Sequence, residues 1–524
     1  MSIRTSPLDR TSRAPGRATR RAPAWALTIF AIGAVLYAAL FVSAILGADT
    51  EMLAGLTLAP VLIGLTVPIA LRIARHDGDP TLVPIVMAAV VAKLIGSGLR
   101  YYVAFEVYGN SDSLQYHQAA QILAPNFRRG IFNPNLGPIT GTVFIKVFTG
   151  AIYAVLGVSR ITAFVLFAWI GFLGLVLITR AFKVAVPQGD SRRYTLLVLL
   201  LPSLVYWPSA IGKEAWMMLA IGLSVYGIAL LLRSRFMGLI PLTLGLLACA
   251  IVRPHIGLII FIGFIFAALV RRVPARTYAA PLLRFAGLIA LLVLGLALAT
   301  QTASFLGQSS LTSESVSATL SRNETQTSDA GSAFAPVVVS NPLDMVPAFV
   351  TVFFRPFPYE STNPQSLLAA GEGALLLVIA ARSWKRIRAV PRMIRTTPYV
   401  AFCVGYVLSF VYAFSSFSNF GILARQRVQA LPFLLVFFAL PDYRTLPSVA
   451  IQREERRARS RPPLTPQRRR ARRSRPDSDA SATPTIGLTR SLTTGSWSDR
   501  DQSPDARSAP NRDAPPGPPP ASDQ

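Results

Sequence analysis

Charged residues are scarce in this sequence, at 15% of its 524 residues against 52% hydrophobic ones. A soluble domain carries about a quarter charged residues, so the chain lacks the side chains needed for a wholly water-facing surface. Cysteine is almost absent. Cys249 and Cys403 both fall in apolar runs, which excludes a disulfide framework. The common motifs of soluble enzymes are also missing. There is no glycine-rich phosphate loop, no histidine and cysteine at metal-ligand spacing, and no nucleophile elbow.

Long apolar runs are the dominant feature of the chain. Residues 22–46, 237–251, 286–300 and 398–415 contain no charged side chain. A helix of about 20 apolar residues crosses a bilayer core, and the alternating pattern of a membrane barrel is absent. We therefore predict an all-α fold, a polytopic transmembrane helical bundle of about twelve spans.

The net charge of +27 is concentrated near the two ends of the chain. Residues 450–475 contain 11 Arg against two Glu, and six Arg precede Pro23. Since positive residues concentrate on the cytoplasmic side, we predict an integral, multi-pass cell-membrane protein with both termini cytoplasmic, and no nucleic-acid partner. The predicted parts are a basic cytoplasmic segment (1–21), a transmembrane domain (22–440) and a disordered Arg/Pro/Ser-rich cytoplasmic tail (441–524) that contacts anionic lipid.

The alternation of basic connections places two external loops, at residues 101–136 and 302–360. The first loop is predicted outside and the next basic connection, 180–193, inside, so one crossing must lie between them. Two apolar segments, 139–157 and 161–179, are nevertheless present there. The first carries Lys146 and several Gly and Thr. We therefore predict that 139–157 forms an interfacial helix on the outer face of the bilayer, which leaves an even number of spans.

Two acidic positions follow predicted spans on the outer side. Asp112 opens the stretch D-S-L-Q-Y-H, which also contains Tyr116 and His117. A partly desolvated carboxylate at the membrane edge has a raised proton affinity and suits a general base, whereas the alternative is that Asp112 simply caps a short helix. Glu214 follows Lys213 in a short turn. That pair is either functional or an interfacial salt bridge.

Five basic residues lie on the predicted outer side, where the positive-inside rule disfavours arginine: Arg253, His255, Arg355, Arg425 and Arg427. Guanidinium groups bind phosphate in bidentate fashion, so the set indicates an anionic ligand. Taken singly, each residue is also explained by snorkelling or by contact with lipid headgroups.

Together these features resemble the GT-C superfamily of membrane glycosyltransferases, which use polyprenyl-phosphate sugars as donors. In that superfamily an acidic residue of the first large external loop acts as a base, often in a D-x-x-x-Y/H pattern. The matching elements here are D-S-L-Q-Y-H at 112–117, G-P at 137–138, G-V-S-R at 157–160, P-S at 202–203 with Trp207 before Glu214, and R-Q-R at 425–427 before L-P at 431–432.

The resemblance implies inverting transfer of a sugar from a polyprenyl phosphate to a glycan or lipid acceptor of the cell envelope. Asp112, as the base, and Glu214 would be the catalytic residues, and the outer basic residues, with Lys213, Tyr116 and His117, would bind substrate. A divalent metal is compatible with these residues but not required, since Glu214 stands beside a lysine and not in a D-x-D motif. Two alternatives stay open: a polymerase or ligase of lipid-linked polysaccharide repeats, centred on Arg355 or Arg427, and a transporter or non-catalytic envelope protein.

Overall fold

The computed structural model of the protein describes residues 24–109, 111–132, 137–270, 280–308, 310–328, 333–361 and 364–445. The elements in these ranges are helical, apart from an isolated bridge between Ala333 and Asn419. The predicted all-α fold is therefore confirmed for this part of the chain. The predicted basic segment 1–21 and residues 446–524 of the predicted tail lie outside the described residues.

The α-helices of the described residues are, in chain order, α1 (Ala24–Leu46), α2 (Thr50–Asp77), α3 (Leu82–Tyr102), α4 (Asp112–Arg128), α5 (Gly141–Leu156), α6 (Arg160–Ala185), α7 (Ser191–Leu200), α8 (Pro202–Tyr206), α9 (Lys213–Leu232), α10 (Leu239–Val252), α11 (Pro254–Val270), α12 (Ala280–Phe305), α13 (Ser313–Ser328), α14 (Met345–Phe354), α15 (Pro364–Arg382), α16 (Trp384–Ile387), α17 (Val390–Thr396), α18 (Pro398–Phe414), α19 (Phe420–Arg427) and α20 (Leu431–Phe438). A π-helical turn, Val103–Val107, extends α3.

Four helices in the described residues are long and apolar enough to cross a membrane: Thr50–Asp77, Leu82–Val107, Arg160–Ala185 and Lys213–Leu232. Two bent pairs, α15 with α16–α17 and α19 with α20, raise this number to six if each pair is one span. Several further apolar helices have 10–17 residues. Within the described residues the chain therefore has the helices of a membrane protein, with four to six candidate spans where the sequence predicts about twelve.

Proline explains part of the difference between the predicted spans and the observed helices, because it interrupts some of the apolar runs. Residues 194–206 form one largely apolar run, from which the sequence predicts a single span, but the structure breaks it between α7 and α8. Pro202 begins the second helix and has no N–H for the bond that would continue the first. Pro432 stands in the first turn of α20, and α19 and α20 meet at 62°. A hydropathy pattern shows the apolar run but does not show that the helix is interrupted within it.

The segments predicted as external loops contain helices of their own. Residues 101–136 include α4, and 302–360 include the polar helix α13 and the apolar helix α14. The segment 139–157 forms α5, which packs on α4. A Cβ atom added at Gly150 would lie 2.9 Å from Cβ of Leu123 and 3.2 Å from the Phe127 ring. The two helices therefore approach closely where α5 carries no side chain.

Helices α6 and α9 pack through glycine. A Cβ atom at Gly174 of α6 would overlap the backbone of Met218 on α9, and one at Gly222 of α9 would overlap the Gly174 carbonyl. Small residues at helix interfaces in membranes allow backbones to approach closely and gain dispersion contacts. This contact places the beginning of α9, with Glu214, beside the central helix α6.

Ion pairs connect the ends of several helices. Arg180 of α6 lies 2.7 Å from Asp77 of α2, and Arg386 lies 3.1 Å from Asp190. Arg160, at the start of α6, lies 2.9 Å from Glu51 at the start of α2. The charge pattern of the sequence predicts both partners of each pair on one side of the membrane. The basic connections at residues 72–76, 180–193 and 383–395 are predicted inside, and the acidic turn 48–51 and the start of the span 161–179 are predicted outside.

Candidate functional site

Helix α4 presents the Asp112 carboxylate to solvent. The N-cap of α4 is Ser111, whose hydroxyl accepts the Leu114 N–H at 3.4 Å, and Asp112 is the first helical residue. The alternative of Asp112 as the cap is therefore wrong by one position. The Asp112 side chain is 52% exposed, and its Oδ2 lies 2.8 Å from Nη1 of Arg425. An exposed carboxylate beside a guanidinium is thus available at this point.

Glu214, in the first turn of α9, is buried between two guanidinium groups. Its Oε1 lies 2.9 Å from Nη2 of Arg253 and 2.8 Å from Nε of Arg425, and its Oε2 accepts a hydrogen bond from Nη2 of Arg425 at 3.1 Å. Among the ion pairs of the described residues there is none between Glu214 and Lys213. Of the two alternatives for Glu214, the local salt bridge with Lys213 is therefore not formed, and Glu214 instead contacts residues distant in sequence.

We define the carboxylate–guanidinium cluster as Asp112, Glu214, Arg253 and Arg425. These residues come from the start of α4, the start of α9, the α10–α11 junction and α19. Arg425 bridges the two carboxylates, and Glu214 bridges the two arginines. The cluster contains two negative and two positive groups, so its charges balance. The ion pairs hold each side chain in a definite direction, and of the four side chains only that of Asp112 is largely open to solvent.

Tyr116 forms one wall of this cluster, one helical turn after Asp112. Burial, and then the negative charges of Asp112 and Glu214, raise the pKa of Tyr116 to about 12, so its hydroxyl stays protonated. A Cβ atom at Gly212 would lie 3.2 Å from Glu214 Oε2 and 4.0 Å from the Tyr116 ring. Glycine at this position therefore allows the ring and the carboxylate to lie close to the same stretch of backbone.

Gln426 is a member of the site that is not among the residues predicted from the sequence. Its Oε1 accepts a hydrogen bond from Nη1 of Arg253 at 2.9 Å and one from Nε2 of Gln429 at 2.8 Å. Its position between Arg425 and Arg427 is the only sequence signal for it. Arg253 is thus oriented by one amide and one carboxylate, which leaves it little freedom to rotate.

Two of the arginines predicted to bind the ligand are paired with carboxylates outside the cluster. Arg355 donates through Nε and Nη2 to Glu360 at 3.0 and 2.6 Å, and its guanidinium lies 4.7 Å from the Phe334 ring centroid. Burial acts to raise the pKa of Glu360. The hydrogen bonds from Arg355 and from the Phe357 N–H, together with the positive charge of Arg355, outweigh burial and leave that pKa below its ordinary value. Arg427 is fully buried and pairs with Glu372. The structure does not bring either arginine into the cluster.

The two predicted histidines also lie apart from the ion pairs. Nδ1 of His117 lies 2.8 Å from the Tyr153 hydroxyl, and burial, followed by the charge of Arg160, lowers the pKa of His117. Nδ1 of His255 is buried without a hydrogen-bond partner among the described residues, and its ring lies 5.6 Å from that of Phe305. Lys213 interacts with the cluster electrostatically.

The described residues contain no group of three or more His, Cys, Asp or Glu side chains placed to hold a metal ion. Comparison of the chain with protein-family models, with curated proteins and with solved structures finds no match. The chemistry of the site therefore follows from its own geometry. The cluster combines an exposed carboxylate, which can accept a proton, with guanidinium groups that can bind an oxyanion.

Proposed function

We propose that this protein is a membrane glycosyltransferase that moves a sugar from a polyprenyl-phosphate donor to a glycan or lipid acceptor of the cell envelope. The observation that carries the proposal is the contact of exposed Asp112 with Arg425. Transfer from a phosphate-linked sugar needs a base for the acceptor hydroxyl and positive charge for the departing phosphate. This pair supplies both groups within hydrogen-bonding distance of each other.

The proposed topology has about twelve spans, both termini in the cytoplasm, α5 at the outer interface and the cluster on the extracytoplasmic side. Three ion pairs described above support the alternation of sides, because their partners come from segments assigned to one side: Glu51 with Arg160 outside, and Asp77 with Arg180 and Asp190 with Arg386 inside. The members of the cluster all come from segments assigned outside. No ion pair of the described residues joins an outer connection to an inner one.

In the proposed mechanism the donor phosphate binds Arg425 and displaces Asp112 from that guanidinium. The released carboxylate takes the proton of the acceptor hydroxyl, whose oxygen forms a bond to the anomeric carbon of the sugar. The bond from that carbon to the phosphate oxygen breaks, and the electron pair leaves with the lipid phosphate. Arg425 and Arg253 stabilise the charge that grows on this oxygen. Attack opposite the leaving group inverts the configuration.

Glu214 has a separate role in this proposal. It is buried and lies between both arginines, so it cannot reach an acceptor without breaking two ion pairs. We assign to it the orientation of the two guanidinium groups toward the phosphate. The acceptor is then held by the external segments, including 302–360, and the prenyl chain by apolar surfaces of the helices.

The test compares Asp112→Asn and Arg425→Lys with the wild type in proteoliposomes supplied with polyprenyl-phosphate sugars and lipid acceptors. Loss of a general base lowers the transfer rate about a hundredfold to ten-thousandfold, so Asp112→Asn is expected to fall in that range while inserting normally. Arg425→Lys is expected to raise the Kd for prenyl monophosphate about tenfold, since a lysine loses the bidentate geometry. Full transfer by Asp112→Asn would exclude this mechanism. A dispensable Asp112 together with an essential Arg355 or Arg427 would favour the polymerase or ligase.

A further inference from the structure

Helix α19 carries two arginines, two positions apart, in opposite surroundings. Arg425 lies in the carboxylate–guanidinium cluster with 26% of its side chain exposed, whereas the Arg427 side chain is 0% exposed. Successive residues of a helix are rotated by about 100°, so these two side chains leave α19 roughly 200° apart. Burying one on the inner side of the helix therefore directs the other outward, toward the cluster.

Arg427 is held by groups from two neighbouring parts of the chain. Its Nη2 donates to Oε2 of Glu372 at 2.9 Å, and its Nη1 donates to the carbonyls of Arg355 at 3.1 Å and Phe353 at 3.4 Å. Glu372 lies within α15, and the two carbonyls lie at the end of α14 and just after it. The end of α19 is thus attached to both helices.

Glu372 also binds the helix break at Pro202. Its Oε1 accepts the Ser203 N–H at 2.7 Å, and its Oε2 accepts the Ser203 hydroxyl. This N–H lies at the start of α8, where helical hydrogen bonding is interrupted. One buried carboxylate therefore joins α8, α15 and α19. A charged pair inside an apolar region is costly unless well satisfied, and such pairs mark functional positions.

Helix α19 needs external support to hold a fixed direction. It has eight residues, and α20 follows at an angle of 62°. Isolated helices of this length are not stable in water, because helix formation has a costly nucleus. Its first turn is held by the Asn419 side chain, which accepts the Ile422 N–H at 3.1 Å. Its last turn, which carries Arg425, is held by Arg427.

We infer that Glu372 and Arg427 form a positioning pair that sets the direction of Arg425, and that neither of them contacts substrate. The functional meaning of this inference rests on the proposed glycosyltransferase activity, but the structural statement does not. The Arg427 side chain is fully buried and its hydrogen bonds go to protein groups, so an entering anion would first have to break the pair with Glu372.

The structural part is tested by hydrogen–deuterium exchange on the full-length protein in lipid nanodiscs. Glu372→Gln is expected to raise exchange over Phe420–Arg427 severalfold, because α19 loses its charged anchor. Asp77→Asn is the matched control: it removes another buried carboxylate, the partner of Arg180, outside the cluster. Unchanged exchange in α19, or an equal rise in the control, would overturn the inference. If Glu372→Gln does not fold, Glu372→Asp, which keeps the charge and shortens the side chain, replaces it.

The functional part is tested by the binding of farnesyl phosphate to the same variants. Glu372→Gln is expected to raise the Kd about tenfold in the wild-type background and to have no further effect in an Arg425→Ala background, since it acts through Arg425. Additive effects would contradict a positioning role. If the wild type itself fails to bind farnesyl phosphate, the proposed function fails, while the exchange experiment still decides whether the pair positions α19.

Discussion

Asp112 and Arg425 lie at the first position of α4 and in the last turn of α19, and their side chains meet at 2.8 Å. Arg425 also reaches Glu214, so one guanidinium links an exposed carboxylate to a buried one. The two acidic residues of the cluster therefore have different environments. That difference predicts different effects on stability when each is neutralised.

Glu214→Gln is expected to destabilise the protein by about 3–5 kcal/mol, because it leaves the buried guanidinium of Arg253 without its carboxylate. Asp112→Asn is expected to change stability by less than about 1 kcal/mol, since an exposed ion pair contributes little. Thermal unfolding of both variants in the same detergent measures the difference. Equal destabilisation by the two substitutions would show that Asp112 is not the open member of the cluster.

His117 predicts a dependence of stability on acidic pH. Its folded-state pKa is lowered by burial and by the charge of Arg160, although Glu51 partly offsets the latter. A depressed pKa means that the unfolded chain takes up the proton first, so the stability is complete above the unfolded value of about 6.5 and is lost as pH falls below it. The melting temperature of the wild type is expected to drop more steeply between about pH 7 and 5 than that of His117→Gln. Parallel curves would contradict this role for His117.

The sidedness of the chain can be tested by cysteine labelling in intact cells. Gln115 on α4 and Lys385 on α16 are exposed, whereas the native Cys249 and Cys403 are buried and give little background. A membrane-impermeant maleimide is expected to label Gln115→Cys from outside and Lys385→Cys only after the cells are opened. Labelling of Lys385→Cys and not of Gln115→Cys in intact cells would invert the proposed topology.

The glycine contact between α6 and α9 predicts a packing defect on substitution. Gly174→Ala places a methyl group against the Met218 backbone and is expected to cost about 1–3 kcal/mol. Gly64→Ala on α2 is the control, because outside its own turn of helix no described heavy atom lies within 4 Å of the added methyl group. That substitution is expected to be neutral or stabilising by up to about 1 kcal/mol. Unfolding curves in one detergent compare the two.

Predictions from the sequence were most successful for features that depend on neighbouring residues. Apolar runs located the helices, with α18 beginning at the predicted residue and α1 ending at the predicted one. Helix interruptions were missed, as at Pro202, where the apolar run continues through the break. The helix α13 was missed because it is polar and was assigned to a loop.

The amino-acid sequence by itself determined the helical class and the candidate acids and bases, because hydrophobic run length and residue type are local properties of the chain. Only the tertiary structure decided which of those residues meet. Arg425 and Arg427 are alike in the sequence, yet one bridges Asp112 and Glu214 and the other pairs with Glu372. Their partners come from helices far along the chain, and the packing of those helices determines which side of α19 each partner occupies.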